Sequence, residues 1–320
     1  MAGKFVISLD YELMWGVRDK RTIESYGVNI ENVPKVIDHL LFYFKKYNVK
    51  GTFAIVGFLF ARTKQELKKY FPEIRPNYVD HNLSPYLGYI DSLSEENFRI
   101  YHSAIDCINK IKRCKEHEIC THTFSHYYCL EKGQNKASFE ADIKSALKIA
   151  EKEGINIKSI VFPRNQDNSD YSQILLKNNI SVFRGNEKSW FYSSVNEDDE
   201  TLVRRIMRLI DTYINISGHH CYSNLELRNN GINNLPSSRF LRPYNPSLKM
   251  FETLRLRRIK RSMTYAAKNG LIYHLWWHPH NYGSHLQQNF SFLNKILEHY
   301  EKLNKDYNFK SCTMSSAVGI

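Results

Sequence analysis

No stretch of the chain approaches the roughly 18 uninterrupted apolar residues of a membrane-spanning helix, so a transmembrane anchor is not expected. The opening residues, MAGKFVISLDYELMWG, contain no charged region leading into a long apolar segment and a small-residue cleavage site. A secretory leader is therefore not expected either, and the reading is a cytoplasmic protein with at most peripheral membrane contact. The six cysteines, at 107, 114, 120, 129, 221 and 312, include no CxxC pair. That spacing argues against a zinc knuckle and against an exported disulfide framework, leaving reduced thiols as the economical state. Repeats, low-complexity tracts and clear linkers are missing as well. Disorder is not indicated, because 42% of the 320 residues are hydrophobic and 24% charged, the balance of a globular protein with a sizeable core.

Positive charge is abundant. Lysine and arginine number 45 against 33 acidic residues, a net charge of +12, and the summed field attracts anions: nucleic acid, acidic glycan, nucleotide-sugar, phospholipid headgroup or a sugar-pyrophosphate carrier. The densest run, RLRRIKR at 255–261, falls on an expected helix and offers no aromatic ring on which a base would stack. Specific nucleic-acid binding is not expected, and a solvated basic helix face is the ordinary reading of the run.

Short apolar runs rich in β-formers alternate with segments of helical periodicity. KFVISLD, KGTFAIVGFLF, HEICTH, IKSIVFPR, ISVFRG and LIYHLWWHPH read as strands. Between and after them, helices are expected over NVPKVIDHLLFYFKKYNV, NFRIYHSAIDCINKIK, ASFEADIKSALKIAEKEG, YSQILLKNN, PSLKMFETLRLRRIKRSMTYAAKNG and FSFLNKILEHYEKLNK. A β-α-β-α order argues for a parallel sheet, open or closed into a barrel. Residues 62–92 and 186–245 break the alternation and read as insertions that form a lid or substrate rim.

Chemistry gathers at the ends of three expected strands. Alternation along the first strand puts Val6, Ser8, Asp10 and Glu12 on one face and Phe5, Ile7, Leu9 and Tyr11 on the other. Two carboxylates then project together from the carboxyl end, where α/β barrels carry catalytic groups; a turn cap or surface ion pair is the plainer reading. His122 and His126, in HEICTHTFSH, are four apart, which on a helical turn brings two imidazoles to one side. Two histidines and a carboxylate suffice for a divalent transition metal with open coordination positions, although ordinary buried histidines share this spacing. His117 begins its strand, too far back to join them. In the last strand His274, Trp276, His278 and His280 alternate onto one face, where each buried imidazole needs a partner. Arg164, at a strand end, can pair with Asp10, bind a substrate anion or sit in solvent.

Together these residues resemble the polysaccharide deacetylases, or NodB-homology domains, of carbohydrate esterase family 4. SLDYE matches the first motif in the variant with one residue between the acids, HEICTHTFSH the paired-histidine motif, and WWHPHN the last motif; KGTFAIVG resembles the strand between the first two. The resemblance spans residues 4–185 and 271–281. It implies a distorted (β/α) barrel, one catalytic domain over 1–320, and a metal held by Glu12, His122 and His126, with zinc expected and cobalt, nickel, manganese or iron as alternatives. It also implies Asp10 as the base, His278 as the general acid in preference to His280, and Arg164 beside the base. Asn165, Trp276 and His280 are expected to contact substrate, Asn165 through its backbone N–H. Arg208, Asp211 and His219 are further candidates in a stretch that has no family motif. The implied activity is metal-dependent removal of an N-acyl group from a sugar intermediate of surface polysaccharide, an anionic or diphosphate-linked one in view of the charge. A catalytically silent glycan- or partner-binding domain is the alternative. Three departures stand out: glutamate replaces the more usual aspartate as ligand, the stretch 186–245 has no family motif, and an export signal is not seen; the match at Arg164 is also loose, with proline before rather than after it.

Overall fold

The computed structural model describes residues 2–229 and 231–320. Strand β1, Lys4–Tyr11, pairs in parallel with β2, Gly51–Ile55, on one side and with β9, Ile272–Trp277, on the other. Beyond β2 the parallel order continues through β3, Glu118–Thr121, β4, Ser159–Val161, and β5, Val182–Arg184. Closure comes from a single extended stretch. Its first part, β7 (Ile232–Asn234), pairs with β5, and its last part, β8 (Arg239–Phe240), pairs with β9. In between, the N–H groups of Leu235 and Ser237 donate to Phe183 and Gly185, whereas those of Ser238 and Leu241 donate to His274 and Trp276. The stretch thus joins the two edges of the sheet and makes a distorted barrel, as expected. Two short strands lie outside the ring: β6, Arg228–Asn229, antiparallel to β7, and β10, Lys310–Cys312, beside the first half of β1.

Twelve helices surround these strands among the described residues. They are α1 (Ile23–Glu31), α2 (Val33–Lys46), α3 (Lys64–Lys68), α4 (Tyr89–Ser92), α5 (Glu95–Tyr101), α6 (Ile105–Arg113), α7 (Lys136–Lys152), α8 (Ser172–Lys177), α9 (Leu202–Tyr213), α10 (Glu252–Asn269), α11 (Leu286–Tyr307) and α12 (Met314–Ala317). Local chemistry sets their limits. Helix α2 has Pro34 in its first turn and Lys45 and Lys46 in its last, and it buries Val36, Ile37, Leu40 and Phe44. Asn135 and Ser138 form a reciprocal cap on α7. Gly270 ends α10 in the left-handed region at φ 66°. Among the described residues, no helix is long and apolar enough to cross a membrane.

The expected alternation of β1 holds. Phe5, Ile7, Leu9 and Tyr11 pack in the main core, whereas Val6 joins a smaller cluster inside the barrel with Ala54, Cys120, Val161, Val182, Leu235 and Ile272. Met314 and Ala317 of α12 close that cluster from below. One step further along β1 the interior turns polar with Ser8, Asp10 and Glu12, all buried. The barrel is therefore apolar at its floor and polar at the carboxyl end.

Three sequence expectations change. The helix read over 97–112 is two helices, because Ala104 N–H bonds to the Leu59 carbonyl and the Trp15 indole donates to the His102 carbonyl, turning the chain between them. The stretch 186–245, read as irregular, supplies α9 and the barrel-closing segment; its strands are too short for periodicity to reveal. Residues 62–92 contain α3 and α4, and neither α1 nor β10 was anticipated.

Candidate metal centre

Glu12 stands just past the end of β1, and its side chain folds over Gly16. A Cβ at Gly16 would lie 2.0 Å from the Glu12 carboxyl carbon, so only glycine leaves room. The loop after β3 brings in the histidines, and it does so without the helical turn expected from their spacing. Thr123 and His126 both have left-handed backbones, φ 62° and 59°, a strained arrangement that needs support from outside. Support comes from two sides. His122 N–H donates to the Ile55 carbonyl, and Gly57 and Phe58 donate to the carbonyls of Thr123 and Phe124. From α7, the buried Asp142 carboxylate accepts the N–H groups of Phe124, at 2.6 Å, and Ser125, at 3.1 Å. A side chain at Gly57 would meet Phe124 at 2.6 Å, so the close approach of this loop to β2 also depends on glycine.

The result is a tight donor set. Nε2 of His122 and Nε2 of His126 lie 3.2 and 3.0 Å from the same oxygen, Glu12 Oε2. Nδ1 of His122 lies 2.8 Å from the Val161 carbonyl, which can only accept, so the proton of the neutral ring belongs on Nδ1. That leaves a lone pair on Nε2 facing a carboxylate lone pair, a repulsive contact unless a cation lies between them. An ion with ligands at about 2.0–2.1 Å in tetrahedral geometry spaces neighbouring donors by about 3.3 Å, close to the distances seen. The residues fit a divalent metal, and the Val161 carbonyl supplies the backbone partner that usually fixes a ligating imidazole. Burial pushes Glu12 up, but His278 and the two histidine contacts outweigh it and hold the carboxyl well below its usual range. Burial lowers His126, with Glu12 opposing. We expect Gly16→Ala to displace the Glu12 carboxylate and weaken metal affinity by about 10–100-fold, the range seen when a ligand's support is lost. Metal titration checks this, with unchanged circular dichroism showing that the fold persists.

Asp10, also buried, is clamped by a different arginine from the one expected. Arg184 at the end of β5 places Nη1 2.6 Å from Oδ1 and Nη2 2.7 Å from Oδ2. It also donates to Ser8 Oγ at 3.0 Å and to Asn165 Oδ1 at 2.7 Å, and its guanidinium lies 4.1 Å from the Trp276 ring centre. Burial alone would raise the Asp10 pKa; the fork of Arg184 more than offsets it and leaves the carboxyl below its usual value. Arg164 instead pairs with Asp19 and Glu197 and lies over Tyr128. The physical reason is backbone: Arg164 and Asn165 are both left-handed, φ 52° and 53°, and the chain turns the side chain toward Asp19 and Glu197, at the wall of the cleft that holds His278. The Asn165 N–H donates to the Phe162 carbonyl and its side-chain oxygen accepts from Arg184, while the residue itself lines the cleft beside His278. Arg184 was legible only as the last residue but one of ISVFRG, where the strand end and inward parity mark it.

The last strand behaves as its alternation implies. His274 bonds Ser8 Oγ at 2.8 Å, Trp276 covers Arg184, and His278 Nε2 lies 3.5 Å from Glu12 Oε1 and 3.8 Å from Asp10 Oδ2. The His278 side chain is 23% exposed against 3% for His280, so His278 has access to a ligand. His280 lies 3.9 Å from Glu12, and burial pushes its pKa down to about 3. His117 is apart from the centre, accepting from Gly51 N–H.

Beside His278 and Trp276 opens a cleft of about 410 Å³ whose lining includes Phe240, Arg205, Arg208 and Arg242. Arg242 donates through Nε to Thr212 and pairs with no carboxylate among the described residues. Arg208 is tied to Glu200 and the Phe191 carbonyl. Asp211 is locked inside, accepting from Arg239, Tyr192 and Ser217, and His219 bonds Ser262 away from this cleft. Of the three further substrate candidates, only Arg208 therefore reaches it.

Comparison with known proteins adds the fold. No family model and no curated protein sequence matches the chain. Among solved structures, a Mycobacterium smegmatis protein described as a "putative polysaccharide deacetylase" superposes over 98% of this chain and 88% of its own, with 13% identity and a TM-score of 0.58. The chain has the fold of the polysaccharide deacetylases. A "probable polysaccharide deacetylase" of Pseudomonas aeruginosa PAO1 gives 9% identity, coverages of 98% and 89%, and a TM-score of 0.54. The α-amylase AmyC of Thermotoga maritima gives 16%, 99%, 74% and 0.52 respectively. One fold thus serves more than one chemistry, and function must be argued from the site.

Proposed function

We propose that the chain is a metal-dependent amide hydrolase that removes an N-acyl group, acetyl in the first instance, from an anionic sugar intermediate of surface polysaccharide on the cytoplasmic side. The observation that carries this reading is the convergence of Glu12, His122 and His126 on one point, with Asp10 and His278 beside it. A glycosidase would need two carboxyl groups free to flank a glycosidic bond. Here Glu12 is engaged by imidazoles and Asp10 by Arg184.

A divalent ion held by Glu12, His122 and His126, zinc in the first instance, would polarise an acyl oxygen and acidify a bound water. Asp10, beside that donor set, is placed to accept a proton from the attacking water. Arg184 keeps Asp10 ionised and fixes both of its oxygens, so one geometry is available to the base. An amide nitrogen leaves poorly as an anion, and His278, at the cleft wall, donates the proton it needs. Burial disfavours the charged form of His280, which makes it the poorer proton donor. Trp276 and Phe240 offer an apolar wall for the sugar ring, and Arg205, Arg208 and Arg242 supply positive charge for a phosphate or diphosphate.

The test is to load the protein with zinc, cobalt, nickel, manganese or iron, incubate it with UDP-linked N-acetyl and N-formyl sugars, and weigh the products. Release of acetate or formate with the matching free amine supports the reading. Sugars that bind the metal-loaded protein and stay intact with every metal would instead indicate a silent glycan-binding domain.

A further inference from the structure

Helix α9 is built inside out. A surface helix normally buries its apolar stripe, yet here Leu202, Val203, Ile206, Leu209 and Ile210 are exposed, with Leu202 at 70% and Val203 at 58%. Arg204, Asp211 and Thr212 face inward. The inward polar side chains are paired: Arg204 donates to Ser193, Asp211 accepts from Arg239, and Thr212 accepts from Arg242, although Nε of Arg204 and of Arg239 have no hydrogen-bond partner. The outward apolar face continues past the helix through Ile214 and Ile216 and across to Met250 and Phe251, just before α10, and Leu254 in its first turn, where the Tyr213 and Phe251 rings lie 5.8 Å apart.

The basic run that the candidate centre leaves unused borders this face. Within RLRRIKR, Arg255 turns in to Glu252 and Arg258 toward Asp211. Arg257 and Arg261 turn out, and with Lys268 they line a groove of about 600 Å³ beside Tyr213, Ile214 and Leu254. None of these three cations pairs with a carboxylate among the described residues. An apolar ridge flanked by unpaired cations is the pattern of a surface that sits at the headgroup boundary of an anionic bilayer.

We propose that the outer face of α9, with the start of α10 and the Arg257–Arg261 edge, docks the protein onto anionic lipid. Two observations favour a bilayer over a protein. A second copy would bring one net charge of +12 against another. The face is mainly Leu, Ile, Val and Met, with Phe251 and the half-buried Tyr213 at its edge, whereas protein hot spots favour Trp, Tyr and Arg, and Leu and Val are under-represented in them. The inference stands independently of the proposed chemistry, since lipid binding needs neither metal nor turnover.

Flotation of the full chain with phosphatidylcholine vesicles, with and without phosphatidylglycerol, tests it. The protein should float with the anionic vesicles and at least about tenfold less with neutral ones, because the cations then lose their partners. Ile206→Gln with Ile210→Gln, exposed positions and a residue compatible with helix, should cut binding at least about tenfold at unchanged circular dichroism. Arg257→Gln with Arg261→Gln should reduce the preference for phosphatidylglycerol. Three outcomes overturn the proposal: no flotation with anionic vesicles, binding indifferent to the isoleucine pair, or a dimer in sedimentation equilibrium that the isoleucine pair dissociates.

Discussion

His122→Ala is expected to lose bound metal and turnover together. His122 brings one of two imidazole donors, and its Nδ1 contact with Val161 makes that donor the better oriented of the pair. Removing it leaves one carboxylate and one imidazole, fewer than the three protein ligands of a catalytic zinc site. The necessary contrast is Asp10→Asn. Asp10 lies outside the donor set and can accept a proton only as a carboxylate, so its amide should retain metal and lower kcat by about 10²–10⁴-fold, the usual worth of general base catalysis. Metal analysis beside steady-state kinetics on both variants separates the roles. Asp10→Asn protein that loses its metal would show that Asp10 belongs to the ligand set.

Arg184→Met should be the most destabilising single change at the centre. The Arg184 side chain is fully buried and that of Asp10 is 4% exposed, so methionine leaves a buried carboxylate without a partner, which typically costs about 3–5 kcal/mol. Ser8 and Asn165 lose a donor as well. The pH dependence follows from the same contact. Arg184 holds the folded Asp10 below the unfolded value of about 3.9, so its stabilising contribution is present above that value and is lost as pH falls through the folded pKa. Without the guanidinium, burial is opposed only by His122 and His278, so Asp10 rises and the acidic limb of kcat/KM moves to higher pH. Urea titration and a pH profile measure the two effects. Arg184→Lys keeps a charge without the two-pronged geometry and should fall between. An unmoved acidic limb in both variants would mean that Asp10 is not the base.

Much of this was legible in the sequence because strands obey parity. Once KFVISLD is a strand, Asp10 must share a face with Ser8 and Val6, and once LIYHLWWHPH is one, His278 shares a face with Trp276 and His274. Motif resemblance then assigned a metal to Glu12, His122 and His126, and the three converge. The local geometry of the loop was not legible. Four-residue spacing suggested a helical turn, whereas the loop is held by Asp142, Gly57 and two left-handed residues, contacts made by chain segments remote in sequence. The arginine beside Asp10 was misread for a related reason. Arg164 occupied the matching strand end, but the consecutive left-handed backbone at 164 and 165 has no signature in FPRN. Arg184 comes from a three-residue strand whose neighbours are set only when residues 232–241 close the barrel. Segments of that length carry too little periodicity to declare themselves, which also hid β7 and β8 within 186–245.

The most direct test of the central claim is anomalous diffraction from crystals of the metal-loaded protein, with data on both sides of the metal's absorption edge. The account predicts one full-occupancy peak about 2.0–2.2 Å from Nε2 of His122, Nε2 of His126 and a carboxylate oxygen of Glu12, with Asp10 outside the coordination shell. A peak elsewhere, at Cys114 and His117 for instance, or no peak at all in protein that hydrolyses its substrate, would contradict it.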